Sequence, residues 1–519
     1  MRENKQSLVL ITVDCLRADH CGFHGYSRAT TPCLSSLATE SIVMAKAIVA
    51  GAPTYYSLPA IFASRMPLAL GRDVIGLAAG EETLATALRK AGYATAGFSA
   101  ANPYISARFG FNQGFDEFRD FLDFDGRAGG KAESGDESQP QDGRHLETLN
   151  GWLKQSADRV GLGKLYDELY FQYLVRVRAS PVSDMDALRK YPSAEVVVEA
   201  AKSWLETVEP GRPFFLWLHL MDPHAPYYPP PRALQQLTGK EISPARARYI
   251  NEFWNRSDLS ATGLRRKKKE IIDLYDASIR WVDTQVDRLI EYLKGAQRWE
   301  NSVLALTADH GEEFLEHGRR YHVPVSMAEE IVHVPLLIRM PVQWADASGQ
   351  RIEPSNTPFS LLHLAPTLLD ILEVASPSSF RGESLRRGLR EQSGSEGEAD
   401  PALTELAYDC TNPFRGEMRL SSRLVSVRDA KYKLVYRLES DAIEQLYDLQ
   451  ADPAEQRPLP SGAVPEIRQH FLKVAAAHIS KTIADKPAVP RLQSRLRELK
   501  LELKSSNHTK SAPDESRDP

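Results

Sequence analysis

Apolar and polar positions alternate along this chain in segments of two lengths, short runs of strand length and longer runs with helical spacing, the pattern of parallel βαβ units. Residues 8–13 form a first buried strand, and 82–91 a helix with Leu84, Ala87, Leu88 and Ala91 on one face and Gly92 at its end. A strand follows over 94–99. The arrangement repeats with a helix over 193–207, whose apolar face is Val196, Val197, Ala200 and Trp204, and a strand over 214–220. The longest amphipathic run, 269–294, carries Ile272, Tyr275, Ile279, Val282, Val286, Leu289 and Leu293 and leads into a strand over 302–307. A further helix is predicted over 359–372. The basic run 265–269 reads as a solvated helix start.

Two stretches break the rhythm. Residues 126–144 are rich in Gly, Ser, Asp, Glu and Gln and read as a flexible insertion, extended by a more helical 146–178, so that the insertion as a whole covers about 120–185. The polar stretch 391–400 reads as a linker. It separates a domain over 1–390 from a smaller unit over 401–500, which contains strand-like runs at 422–427, 432–437 and 445–449 and a helix. Residues 501–519 are too polar to pack and are expected to be a disordered tail.

Composition narrows the classes. With 519 residues and 42% hydrophobic content the chain can bury a large core, and a net charge of −5 excludes a globally basic nucleic-acid binder. Four irregularly spaced cysteines indicate neither a disulfide framework nor a CxxC metal site. No signal region precedes the first strand and no run reaches membrane-span length, so a soluble, cytoplasmic protein is expected.

Chemistry enters where the strands stop. The 8–13 run ends at Asp14 and the 302–307 run leads to Asp309 and His310, and the carboxyl ends of parallel strands are where open α/β sheets place ligands. Two such ends can hold one metal. Asp is also a common helix N-cap at such junctions, so both carboxylates have a structural alternative.

The motifs then assemble. Asp14-Cys15-Leu16-Arg17-Ala18-Asp19-His20 through Pro32, His219-Leu220-Met221-Asp222-Pro223-His224-Ala225-Pro226-Tyr227, Tyr275 to Asp283, Ala308-Asp309-His310-Gly311-Glu312 with Glu316-His317-Gly318, and Leu446 to Pro453 resemble, in order, segments of the sulfatase family within the alkaline phosphatase superfamily. The resemblance implies an α/β fold with a mixed, mostly parallel sheet sandwiched by helices, a small C-terminal antiparallel-sheet subdomain, and hydrolysis of a sulfate or phosphate ester at a divalent metal. The departure lies at the nucleophile. Aligning Ala63-Ser64-Arg65-Met66-Pro67 with the family's Thr-Gly-Arg-Tyr-Pro puts Thr54 where sulfatases carry the Cys or Ser that matures to formylglycine, and Leu58 where they carry an Arg. No formylglycine is therefore expected.

Carried over by position, Asp14, Thr54, Asp309 and His310 become the metal ligands, with Thr54 the nucleophile and Ser57 its alternative. A metal-bound threonine hydroxyl is activated as its pKa falls. Carboxylate and imidazole donors suit Mn2+, Zn2+, Mg2+ or Ca2+ without choosing among them. Cys15 stands where many sulfatases have a second Asp. His224, His317 and His322 are candidates for neutralising substrate oxygens and protonating the leaving group, and Asn102, His224 and His322 for contacting substrate. The expected substrate is a small-molecule or a glycan- or lipid-derived anionic ester, with phosphate mono- or diesters favoured by the threonine. A transferase to an alcohol acceptor and a non-catalytic anion binder are the alternatives. Pocket walls are expected chiefly from 100–190 and 225–265.

Overall fold

The computed structural model describes residues 5–123, 152–174, 184–341, 358–385, 400–437 and 444–481. The 126–144 stretch, nearly all of the 391–400 linker and the 501–519 tail lie outside them. A seven-stranded sheet forms the centre: β1 (Ser7–Val13), β2 (Ile42–Val43), β3 (Ala94–Ser99), β4 (Glu117–Arg119), β5 (Phe214–Leu220), β6 (Ser302–Ala308) and β7 (Leu336–Arg339), in spatial order β2-β7-β6-β1-β5-β3-β4. The five strands from β6 to β4 run parallel, whereas β7 and β2 are antiparallel to their neighbours at one edge. Every residue of β1, β5 and β6 is buried, which is why these strands read as near-continuous apolar runs rather than alternating ones.

Register fixes the position of the chemistry. Val13 of β1 lies opposite Leu220 of β5 and Ala308 of β6, so the chain leaves three adjacent strands at one level. The helices of this domain include α1 (Thr54–Ala63), α2 (Leu84–Lys90), α3 (Ala194–Thr207), α4 (Ala261–Gly295) and α5 (Leu364–Ile371). Thr83 caps α2 by accepting from the Thr86 amide at 3.1 Å. The buried face of α3 is Val197, Val198, Ala201, Trp204 and Leu205, one position later than the pattern suggests, and Val196 is 42% exposed. Contiguous Val196 to Val198 and Ala200 to Ala201 allow two stripes one residue apart, and the second, which includes Leu205, is the one packed against the sheet and α4, with Arg288 of α4 paired to Glu195 and Glu199 at the edge. The predicted 359–372 helix is shorter, because Phe359–Ser360 pairs with residues 47–48 as a strand before α5 begins.

The 35-residue α4 does more than cover the sheet. Its Tyr275 hydroxyl donates to the Cys15 carbonyl at 2.7 Å and accepts from the Arg17 amide at 3.0 Å. Asp276 binds His20 and Tyr26 at 2.6 and 2.8 Å and also Arg28, and Asp283 accepts from the Cys33 and Leu34 amides. The Tyr275-to-Asp283 motif therefore clamps the loop after β1. The start of α4, with its basic run, is surface, where Lys267 pairs with Glu270 and Lys269 with Asp273.

A second sheet, β8 (Ala402–Ala407), β9 (Arg423–Arg428), β10 (Tyr432–Arg437) and β11 (Glu444–Asp448), is an antiparallel meander. Helix α6 (Pro465–Lys481) covers it, with Phe471 and Ala475 packed among Val425, Val427, Leu434 and Leu446. Strand β8 is an addition to the three runs read from sequence. It is tied to the first domain by the Glu405 amide donating to the Ala50 carbonyl and the Thr404 hydroxyl to that of Val49, at 2.9 and 2.6 Å. Among the described residues no helix is long and apolar enough to cross a membrane.

Candidate active site

Asp14 and Asp309 leave the ends of β1 and β6 side by side, both fully buried. Cys15 turns the chain with φ of +61°, and its amide donates to Asp309 Oδ1 at 3.3 Å. The same oxygen accepts from the His310 amide at 2.9 Å. Asp309 Oδ2 is buried without a hydrogen-bond partner and lies 3.5 Å from His310 Nε2. Asp14 is better satisfied: Asn102 Nδ2 donates to Oδ2 at 3.0 Å, His219 Nε2 approaches the same atom at 3.4 Å, and the Cys15 thiol meets Oδ1 at 3.1 Å. Gly311 is required after this pair because a Cβ there would stand 1.9 Å from the Glu330 carbonyl oxygen.

The two carboxyls have different electrostatics. Burial and the charge of Asp14 push Asp309 up. Burial also opposes ionisation of Asp14, but His224, the hydrogen bond from His219 and the charge of His310 hold it well below the usual carboxylate range. Two buried carboxyls, one with an orphaned oxygen, beside imidazole nitrogens form a donor set that fits a divalent cation. Ligand atoms of Asp14, His219 and Asp309 lie within 4.8 Å of one another, as do those of Asp14, Cys15 and His310.

Thr54 is the first residue of α1, a helix buried along its whole length. Its hydroxyl lies 3.2 Å from His310 Nε2, whose ring is oriented by Nδ1 donating to the Gly311 carbonyl at 2.9 Å. The positive end of the α1 dipole thus faces the cleft where an anion would arrive. Ser57 lies one turn along α1, buried, with no hydrogen-bond partner for its hydroxyl. Leu58 is fully buried.

A cleft of about 320 Å³ opens on Thr54, with Tyr55, Asn102, Tyr104, His224, His322 and Thr411 among its walls. His224 donates through Nδ1 to the Ala225 carbonyl at 2.6 Å, and burial lowers its pKa against the opposing charge of Asp14. The His224 and His322 ring centroids are 5.2 Å apart. His322 Nδ1 lies 3.2 Å from Glu312 Oε1, and the other oxygen of Glu312 accepts from Tyr227 at 2.9 Å. Burial works against a charged His322, but Glu312, Asp14 and Asp309 prevail and raise it to about 9. Raised above the ordinary histidine value, this group stabilises the metal-free protein fully below about pH 6.5, and the contribution is lost as pH rises through about 9. In the metal-free protein, NMR titration of His322 is expected to give a midpoint near 9, and Glu312→Gln to bring it down by at least about one unit; an unmoved midpoint would exclude Glu312 as the cause.

The structure brings Asp14, Thr54, Asp309, His310, Asn102, His224 and His322 together. It does not bring in His317, whose Nε2 lies 3.2 Å from Glu330 Oε2 in a separate cluster with Glu455. Asn102 lines the cleft, but its amide is spent on Asp14. Asp222 accepts from Arg189 and from the Ala194 amide, both at 2.8 Å, and is a structural residue. Sequence reasoning passed over His219, Glu312 and the 408–414 loop. For His219 a signal existed, since a histidine inside an otherwise apolar buried strand needs a polar partner. It has two, the Thr12 hydroxyl at 2.9 Å and Asp14.

Two family models match the chain. The sulfatase family model matches residues 6–374, and the model for the C-terminal region of N-sulphoglucosamine sulphohydrolase matches 316–474. Arylsulfatase K of Xenopus laevis is 26% identical over 315 residues, covering 56% of this chain and 56% of that protein, so the chain spans little more than half of that relative. An arylsulfatase of Clostridium perfringens is 25% identical over 406 residues, 75% of this chain and 79% of its own length. Among solved structures, a phosphonate monoester hydrolase from Silicibacter pomeroyi superimposes with a TM-score of 0.64 at 19% identity, over 93% of this chain and 97% of its own. This likeness establishes the fold.

Proposed function

Because the chain belongs to the sulfatase family, we propose that it is a metal-dependent hydrolase of a sulfuric or phosphoric ester that uses Thr54 as an unmodified nucleophile and favours phosphate mono- or diesters. The observation that carries this reading is the Thr54 hydroxyl at the start of α1, 3.2 Å from His310 Nε2 and beside two buried carboxyls. Asp14, Asp309, His310 and Thr54 would hold the ion. A divalent cation bound there supplies charge neutralisation and a lowered hydroxyl pKa.

The remaining work belongs to side chains. Thr54 Oγ1 bonds to the phosphorus as the bond to the leaving oxygen breaks, and its own proton passes to solvent. His322, kept protonated by Glu312, faces the cleft as the acid for the leaving oxygen, and His224 lines the cleft beside it. Water then attacks the phosphorus of the threonine ester, releasing the acid and restoring the hydroxyl. Asn102 and His219 fix the Asp14 carboxylate through both steps.

The test is turnover of protein stripped of metal and reloaded with Mn2+, Zn2+, Mg2+ or Ca2+ on matched nitrophenyl sulfate, phosphate monoester and phosphate diester. Metal-dependent cleavage with a phosphate ester preferred is expected. Preferential cleavage of the sulfate would overturn the phosphate assignment and reopen the identity of the nucleophile.

A further inference from the structure

His219 of β5 stands as near the two buried carboxyls as a ligand would, its Nε2 3.4 Å from Asp14 Oδ2 and a ring nitrogen within 4.8 Å of an Asp309 oxygen. Whether it offers a lone pair or a hydrogen there is decided by what lies behind the ring. Thr12 of β1 is its partner across the parallel ladder, and the Thr12 hydroxyl lies 2.9 Å from His219 Nδ1. Trp217, two residues before His219 and therefore on the same face of β5, donates through Nε1 to that hydroxyl oxygen at 3.0 Å. Thr12, Trp217, His219 and Asp14 are all fully buried, so each polar group is satisfied by its neighbours.

A hydroxyl has one hydrogen to give. With its oxygen accepting from Trp217, Thr12 has two acceptors in reach, His219 Nδ1 at 2.9 Å and the Leu218 carbonyl at 3.4 Å, and the shorter contact takes the hydrogen. His219 Nδ1 is then an acceptor, the ring's own hydrogen sits on Nε2, and that nitrogen donates to Asp14 Oδ2, the oxygen that also accepts from Asn102. Oδ1 is left on the side of His310, 3.9 Å from its Nε2. We propose that Thr12 and Trp217 are positioning residues of the ion site: acting through His219, they keep its Nε2 a hydrogen donor, bar that nitrogen from the metal, and hold Asp14 so that Oδ1 is the oxygen presented to the ion. This rests on the reading of Asp14, Thr54, Asp309 and His310 as the residues that hold a divalent cation. Outer partners of this kind orient a ligand that they do not replace.

Two readouts test this without turnover. Proton–nitrogen correlation NMR of protein with labelled histidine, the His219 signal being identified by its loss in His219→Gln, is expected to show a hydrogen on Nε2 and none on Nδ1, both metal-free and loaded with Zn2+. Calorimetric titration of Zn2+ is expected to give a Kd about tenfold weaker in Thr12→Val than in wild type, and within about twofold of wild type in Thr12→Ser, which keeps the hydroxyl. Trp217→Phe, which removes the donor that orients the hydroxyl, should weaken Zn2+ in the same direction and carries the test if Thr12→Val does not fold. Wild-type affinity in both Thr12→Val and Trp217→Phe, or a His219 Nε2 that has lost its hydrogen in the Zn2+-loaded protein, overturns the proposal and leaves the ion site standing. A wild-type protein that takes up no Zn2+ overturns the metal reading along with it.

Discussion

Thr54→Ala is expected to lower kcat on the preferred ester by at least about three orders of magnitude while the protein still binds one divalent ion. The size follows from what is removed. Without the hydroxyl there is no covalent intermediate, and water would have to attack directly from the position Thr54 occupied, without being held by the chain. Asp14, Asp309 and His310 remain, so metal content, measured by elemental analysis after gel filtration, should stay near one ion per chain with weakened affinity. Thr54→Ser keeps the oxygen at the first position of α1 and should retain much of the activity. Mass spectrometry of acid-quenched wild type should detect the phosphorylated Thr54 peptide. Full turnover by Thr54→Ala would remove Thr54 as nucleophile and turn attention to Ser57, whose hydroxyl is buried without a partner.

The second large effect is expected at Asp309. In metal-free protein this carboxyl is pushed up by burial and by the charge of Asp14, so folding disfavours its ionised form. A folded-state pKa above the unfolded value means that the favourable contribution is complete below about pH 4 and is lost as pH rises through the raised value; at neutral pH the charge is a cost. Asp309→Asn should therefore stabilise the metal-free protein by about 1–3 kcal/mol at neutral pH, since the amide oxygen can still accept from the Cys15 and His310 amides. The same substitution should abolish turnover and metal-induced stabilisation, which in wild type should reach about 4 kcal/mol at a thousandfold excess of ion over Kd. Thermal unfolding with and without metal measures both signs. A metal-free Asp309→Asn protein less stable than wild type would show that the two carboxyls do not oppose one another as described.

Much of this architecture was written locally. Strands β1, β5 and β6 are buried on both faces and so appear as apolar blocks, and the acidic residues ending two of them mark the ligand edge of the sheet. What the chain could not show was how distant segments meet. The α3 stripe was off by one residue because Val196, Val197 and Val198 are equally apolar, and packing against the sheet and α4, which local sequence does not show, selects among them. His317 and His322 look equivalent in sequence; in the fold Glu330 draws one away and Glu312 holds the other at the cleft. The Tyr275-to-Asp283 motif is visible in the sequence as a family resemblance, but its role, clamping the loop after β1, is not. The contact of Phe414 with Tyr104 was illegible, since about 310 residues separate them, and nothing short of tertiary contact joins them.

The late position of Phe414 in the chain has a consequence in time. Asp14, Thr54, Asp309 and His310 all precede residue 311, whereas the loop bearing Phe414 and the β8 residues that fasten it to the 49–50 backbone come about a hundred residues later. Domains emerge from synthesis amino-terminus first. On a ribosome, the residues proposed to hold the ion are all synthesised before the loop that bears Phe414 and the β8 residues that anchor it.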